Sequence, residues 1–337
     1  LRNLFTTPDA VAAMIRDGAT LVVAGAEPLL AGLPRGNWIG GTTAYFITDR
    51  GGVVDSSNLY CSVLDDATDC RIDQLRPDSL ARVTARRFAG GYSYLLLPAQ
   101  SEVHLRYAVE APSYPGLYEQ PVVGWIAGVH LDDLGKTKAK VFDGSTGEMH
   151  DDVGVVLHVA VSDRVVPELD IINMFVQGDG PAIVFPRTGF TVNACTIDGR
   201  AATFADLLRA NDNDMRLPLV ANYAGAMINV SLQSIDAITG DVALYAPVVA
   251  GETYRLARPI DDIAATYVTA VGDHPGAGTA LSCNCILNFL YAKLEGARTG
   301  GFVGPVTFGE LAYILVNQTL VHLSLVPATA PAALQPA

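Results

Sequence analysis

Positive charge is the first thing this sequence is short of. Its 22 lysines and arginines face 35 aspartates and glutamates, for a formal net charge of −13. A nucleic-acid surface needs clustered basic side chains against phosphate, so that class of partner is excluded. Cysteine is sparse too: five residues, an odd number, scattered as Cys61, Cys70, Cys195, Cys283 and Cys285. That excludes a secreted disulfide framework. The six histidines are dispersed, with no pairing visible that would activate a nucleophile or complete a metal's ligand set. No apolar run is long enough to cross a bilayer, so membrane insertion is not expected. The N-terminus lacks a basic-then-apolar leader, since Asp9 and Asp17 flank only a short amphipathic stretch. The chain begins at Leu1 rather than Met, so the native start is expected to be missing or processed. A cytoplasmic location is the expectation.

What is present is apolar substance. Half the residues are hydrophobic and 17% are charged, enough to bury a large core. The length suggests two domains or one large one. Thr7-Pro8-Asp9 predicts a helix start closed by Gly18, and Thr20–Ala24 reads as a strand covered on both faces. Gly51-Gly52 reads as a hairpin turn, Tyr60–Leu64 and Tyr92–Leu97 as strands, and Ser101 as the start of a helix ending near Ala111. A helix over Asp78–Phe88 would put Arg82 and Arg86 on one face beside Arg87, read as a solvated face against an anion site. Prolines and glycines between 163 and 189 mark a boundary. Beyond it, Phe190–Ile197 reads as one strand, Asp198-Gly199 as a turn, and Thr203 as a helix cap with Asp206 at the capping-box distance. Helical periodicity runs through Ile260–Val271 and Asn284–Leu294. Pro327–Ala337 is an Ala/Pro tail, expected to be disordered unless held in a groove on another copy of the chain.

Three places look able to do chemistry. Glu310 puts a carboxylate directly after a turn at Gly309, between apolar neighbours, so it needs a partner. That partner is either a ligand's ammonium group or the backbone amides of the turn. Asn317 and Thr319 could share the ligand or tie the final strand to the turn. Cys283 is expected where a strand meets a helix, which lowers a thiol's pKa. It reads as a nucleophile or as a small packing residue, and Cys285 does not supply the Cys-x-x-Cys spacing of common zinc sites. The turn Gly40-Gly41-Thr42-Thr43 could cradle an anion through its amides, or mark a bulge where another backbone passes close.

In order and spacing, these segments resemble the FIST family of bacterial sensory modules. Trp38–Ala44 is similar to the Gly-x-Thr/Ser-Thr/Ser-Ala turn of the FIST N-terminal domain, and Pro121–Gly128 to a later segment of the same domain. Lys140–Gly144 and Gly154–Val161 resemble its closing strands. Ala280–Cys283, Gly304–Glu310 and Asn317–Thr319 resemble the FIST C-terminal domain. The resemblance implies an α/β (α+β) fold of two related halves, each a largely antiparallel sheet flanked by helices. The halves would span 1–165 and 190–326, followed by the tail 327–337. It implies noncovalent binding of a small molecule by Gly40, Gly41, Thr42, Thr43, Trp125, Cys283, Gly309, Glu310, Asn317 and Thr319, without catalytic or metal-binding residues.

No kinase, methyl-accepting or cyclase segment follows, so a signal would pass to a separate partner or through a homo-oligomer. The chain departs from the family at Tyr45-Phe46, Trp125, Val129 and Ile286, where polar or minimal residues have become apolar or aromatic. Those changes imply a bulkier, less charged ligand, or a lost site. They also raise haem, with His130, His158 or His322 as axial ligand. The alternatives to a sensor are a self-assembling structural protein on the same fold and a cysteine-dependent enzyme resting on Cys283.

Overall fold

The chain passes three times through one order of elements. The computed structural model describes residues 1–210, 214–223, 225–272, 277–298 and 300–328. The first pass is β1 (Arg2–Thr6), α1 (Pro8–Arg16), β2 (Leu21–Gly25), α2 (Glu27–Ala31), β3 (Trp38–Thr42), the hairpin β4 (Tyr45–Thr48) and β5 (Gly51–Val54), then β6 (Leu59–Val63). The second is β7 (Ala67–Leu75), a 3₁₀ helix over Pro77–Thr84, β8 (Tyr92–Pro98), α3 (Glu102–Glu110), β9 (Val122–Ala127), the hairpin β10 (Val141–Asp143) and β11 (Glu148–His150), then β12 (Gly154–Val161).

The third begins with β13 (Val165–Ile172) and breaks into an insertion. The insertion carries β14 (Ile183–Val184), β15 (Gly189–Val192), β16 (Ala194–Ile197), β17 (Arg200–Thr203), α4 (Phe204–Ala210), β18 (Leu219–Tyr223), β19 (Ala226–Val230), β20 (Leu232–Ile235), β21 (Val242–Val248) and β22 (Thr253–Leu256). The pass resumes with α5 (Ile263–Val271), β23 (Leu281–Cys285), α6 (Ile286–Tyr291), β24 (Gly304–Thr307), the hairpin β25 (Glu310–Ala312) and β26 (Ile314–Val316), and β27 (Leu320–Pro327).

Sheet order makes the repetition exact at the level of strands. The three main sheets run β1-β6-β2-β3-β10-β11, β7-β12-β8-β9-β25-β26 and β13-β27-β23-β24-β4-β5. In each, one pair is parallel (β2/β3, β8/β9, β23/β24), and the chain between its members crosses over through a helix, α2, α3 or α6. The other pairings in these sheets are antiparallel. Each unit hands its hairpin to a neighbour: β4 lies on β24, β10 on β3, and β25 on β9. The three inner faces meet in one apolar centre that includes Val22, Ile39, Phe46, Leu96, Trp125, Cys283 and Val321. Helices cover the outer faces; Val11 and Ile15 of α1, for example, pack with Leu21 and Val23. The insertion has its own core around Phe185, Phe204 and Tyr254 and two sheets of its own.

The α+β class expected from the sequence is the class observed. The internal repeat is threefold rather than twofold, and two of the three main sheets draw strands from both sides of the 165–190 boundary. The expected linker itself carries β13, paired with β27 over eight residues from Val165 to Ile172. A polypeptide of residues 1–165 should therefore leave one edge of β9 unpaired, where β25 lies, and lack a sheet for β4 and β5. We expect it to show poor dispersion in amide NMR spectra. A well-dispersed, cooperatively melting fragment would contradict the interlock.

Local expectations fared unevenly. α1 starts after Thr7, whose Oγ1 accepts from the Ala10 amide, and α3 after Ser101, whose Oγ accepts from His104. Asp198 and Gly199 both take positive φ in the tight turn between β16 and β17. Gly51-Gly52 is not the turn, which falls at Asp49-Arg50. Both glycines sit in β5 because the backbone after α6 crosses them; a Cβ on Gly52 would lie 2.2 Å from the Leu294 carbonyl oxygen. Phe190–Ile197 is two strands in different sheets, parted at Asn193, whose amide donates to Thr239 and Asp241. The helix expected over 78–88 is 3₁₀ and stops at Thr84. Its buried Leu80 and Val83 eclipse at i,i+3, as that helix requires. Asn284 does not start a helix: β23 runs to Cys285 and α6 begins at Ile286. Of the Ala/Pro tail, only Pro327 and Ala328 are described; the remainder lies outside the described residues.

Candidate functional site

Several of the residues expected at a ligand site do converge, at the hub where the three units meet. Trp125 on β9 faces Glu310 on β25 in register. The Trp125 indole covers Gly41, where an added Cβ would lie 2.4 Å from the ring. The Cys283 thiol donates to the Gly124 carbonyl at 3.3 Å, and the Thr43 hydroxyl to the Val306 carbonyl at 2.6 Å. Yet the hub is solid. Trp125 and Glu310 are fully buried, Thr42, Thr43 and Cys283 are also buried, and Trp125 occupies the space that Gly41 leaves. The Gly40–Thr43 amides are not free for an anion. This stretch belongs to β3 and its end, where the Thr42 amide donates to Lys140 and the Thr43 amide to Gly25.

Glu310 is satisfied from within. Its carboxyl accepts from the Thr319 hydroxyl at 2.8 Å and the Thr307 hydroxyl at 3.4 Å, and the Thr319 amide and Cys285 thiol also bond it. Burial pushes its pKa well above the ordinary carboxyl range, and these bonds offset only part of that. Asn317 serves the insertion. Its Oδ1 accepts from the Ser231 amide and hydroxyl, while Asn229 donates to its carbonyl. Gln318 extends the seam by donating to the Arg216 carbonyl at 3.0 Å. Gly309 takes φ +155 against Ile126 and Leu315.

Cys283 lies in the middle of β23, away from the helix end expected to activate it. Burial raises the thiols of Cys283 and Cys285 well above their ordinary value and that of Cys61 to about 12. Alkylation of the native protein at pH 8 is therefore expected to reach only Cys70, the one half-exposed thiol, with all five reacting after denaturation. Rapid labelling of Cys283 in the folded protein would contradict its placement.

The histidines raised for haem sit apart. His130 stacks on Tyr45 near the surface. His322 is buried against Phe302. His158 is buried on β12, 2.8 Å from the Ser93 hydroxyl, with Asp73 at 3.6 Å from its other nitrogen. This Ser-His-Asp row has the residue types of a hydrolytic triad, but Ser93 and His158 are sealed from solvent. Burial lowers the imidazole pKa to about 4, so it stays neutral. Among the described residues, no group of three or more His, Cys, Asp or Glu is placed to hold a metal. No described helix is long and apolar enough to cross a membrane.

Open space lies elsewhere. A cleft of about 600 Å³ sits beyond the carboxyl ends of the parallel strands β8 and β9, where α/β sheets commonly seat ligands. Val129, Leu134 and Phe308 give it apolar walls. Gln100, Ser101, Glu102, Lys136, Thr137, Lys138, Asp151 and Asp152 give it polar edges. Lys138 pairs with Asp151 at 2.9 Å, and Lys136 donates to the Asp132 carbonyl. Phe308 comes from the third unit, on the turn that delivers β25 to β9.

The same junction recurs in the other two units, where protein groups pair across it. In the first unit, Glu27 at the start of α2 meets Lys140 ahead of β10 at 2.6 Å. In the third, the insertion lies over Asn317–Thr319 through Asn229 and Ser231. The open cleft leaves little trace in the sequence. Its one local signal, Gly135-Lys136-Thr137 after a strand, has the residue types that end a phosphate loop, but β10 follows it instead of a helix.

The fold and site thus define a protein of three interlocked α/β units with an inserted β-rich module, a packed polar hub and an open strand-end cleft. The chain belongs to a family of unknown function, DUF6976, whose model matches residues 6–326. No curated protein and no solved structure matches it.

Proposed function

We propose that this protein binds a small molecule noncovalently in the cleft beyond β8 and β9, and that the Glu310 hub is structural. The observation that carries the reading is the fate of the three equivalent junctions. One is bridged by the Glu27–Lys140 ion pair and one carries bonds to the insertion, while the second unit's junction holds a cleft of about 600 Å³, the size of ordinary ligand sites. Its lining suits an amphipathic ligand, with an apolar body against Phe308, Val129 and Leu134 and a polar end among Gln100, Thr137 and the charged rim. The FIST-like order of segments supports small-molecule binding but would have put the ligand at Glu310, where protein groups occupy the space. Native mass spectrometry of gently purified protein tests the reading: a bound small molecule released on denaturation is expected.

A further inference from the structure

The units differ at a second place. Gln74, one residue before the end of β7, ties that strand to its own unit's hairpin by donating to Asp143 at 3.0 Å and to Glu148 at 2.7 Å. Register puts Phe5 of β1 at the same position. Gln74 lies opposite the second residue of β12, and Phe5 opposite the second residue of β6. A phenyl ring has no such bond to donate. Phe5 packs on Phe46 instead, with ring centroids 5.1 Å apart, and a cleft of about 630 Å³ lies between β1, β6 and the β4–β5 hairpin.

The lining of this cleft has two parts. Leu4, Phe5, Val53 and Val303, all half-buried, make an apolar slot. Neutral polar groups around the slot are spent on the protein itself. Asn3 donates to the Gly278 and Ala280 carbonyls and accepts from Ser62. The Thr48 hydroxyl donates to the Gly51 carbonyl, the Tyr60 hydroxyl to the Val303 carbonyl, and the Asn58 amide to Asp55. Two charged groups remain, side by side at the hairpin turn. Asp49 and Arg50 both line the cleft, both are exposed, and neither forms an ion pair among the described residues.

One charge of each sign suits a neutral ligand. The carboxylate asks for two N–H donors and the guanidinium fork for two acceptors. A guanine ring meets both demands while its faces fill an apolar slot: N1–H and the N2 amino group are the donors, O6 and N7 the acceptors. Adenine has only its N6 amino group to donate and no carbonyl oxygen to accept. Arg50 is the only cation on the lining, so a phosphate would have no counter-charge of its own there. We propose that this cleft binds guanine as the free base or nucleoside, with Asp49 accepting from N1 and N2 and Arg50 donating to O6 and N7. The site is distinct from the cleft beyond β8 and β9 and does not rest on ligand binding there.

The test is calorimetric titration of the full chain with guanosine and with adenosine. Saturable guanosine binding is expected, with adenosine at least about tenfold weaker, because hydrogen bonds to both charged groups are lost. Arg50→Gln and Asp49→Asn should each weaken guanosine binding by about tenfold or more at unchanged melting temperature, since both side chains are exposed on a turn. Thr137→Trp, in the other cleft, should leave guanosine binding as it is. No saturable guanosine heat, equal affinity for the two nucleosides, or guanosine affinity untouched by Arg50→Gln overturns the proposal. The comparison of nucleosides on the unaltered protein decides even if a variant fails to fold.

Discussion

Replacing Glu310 by alanine is expected to cost about 3–5 kcal/mol of stability, because a cavity and several unmet buried donors remain, each donor worth about 1–3 kcal/mol. The donors are the Thr319 hydroxyl and amide and the Cys285 thiol; the Thr307 hydroxyl keeps the Gly309 carbonyl at 3.1 Å. Glu310→Gln should behave differently, since the amide keeps most of the shape and bonding. Burial raises the Glu310 pKa in the folded state, so folding favours its neutral form. The stability this carboxyl contributes is full below its unfolded pKa and is lost as pH rises toward the raised folded value. Tyr267 and Cys283 also face it, and both have pKa values raised by burial, so neither supplies a counter-charge at neutral pH. Denaturant melts of the Gln variant from pH 4 to 8 should therefore be flatter than those of the parent, with the variant gaining relative stability toward pH 8. A parent that gains stability over this window relative to the variant would show an ionised, well-paired Glu310 instead.

The second large effect is expected at Gly124. This residue lies where β9 runs parallel to β8, with φ +155, and an added Cβ would fall 1.8 Å from the Leu95 carbonyl oxygen. That clash is with backbone inside the central sheet and cannot relax by a side-chain rotation. Gly124→Val is expected to exceed about 4 kcal/mol, beyond the usual range for a point change, and to abolish soluble folded protein. Gly90 is the control, because its φ is +71 with nothing within 4 Å of an added Cβ. Gly90→Ala should cost only about 1–2 kcal/mol, the strain of the left-handed conformation. Similar losses at the two positions, read by thermal melting of purified variants, would remove the close packing of β8 on β9 from the account.

Much of the local structure was legible because its causes are local. Thr7-Pro8 and Ser101 carry their helix starts in their own side chains, and Asp198-Gly199 carries its turn in backbone freedom. The errors came where a distant segment decides. Gly51 and Gly52 read as a turn until the backbone after α6 is seen to cross them. Phe190–Ile197 reads as one strand until Asn193 is seen bonded to a loop beyond residue 238. The threefold repeat was invisible for a related reason. The units share an order of elements rather than side chains, and the insertion between β13 and α5 hides the period of the third.

The hub residues were found together, because glycine, tryptophan and a buried acid are unusual enough to single out. Their role was misjudged, because a sequence does not show that Trp125 lies over Gly41 or that Thr319 and Thr307 already bond Glu310. The open cleft draws on segments near residues 100, 136, 151 and 308, from two units, and only the pairing of β25 with β9 brings them to one place.

The most direct test of small-molecule binding in the β8–β9 cleft compares native mass spectra of three proteins purified in parallel: the parent, Thr137→Trp and Glu310→Gln. Thr137 is exposed on the cleft wall, so its indole replacement should obstruct the ligand without disturbing the core. The account predicts a small-molecule adduct on the parent and on Glu310→Gln, and its loss from Thr137→Trp at unchanged melting temperature. An adduct that survives Thr137→Trp but disappears with Glu310→Gln, or a parent that carries none, would contradict it.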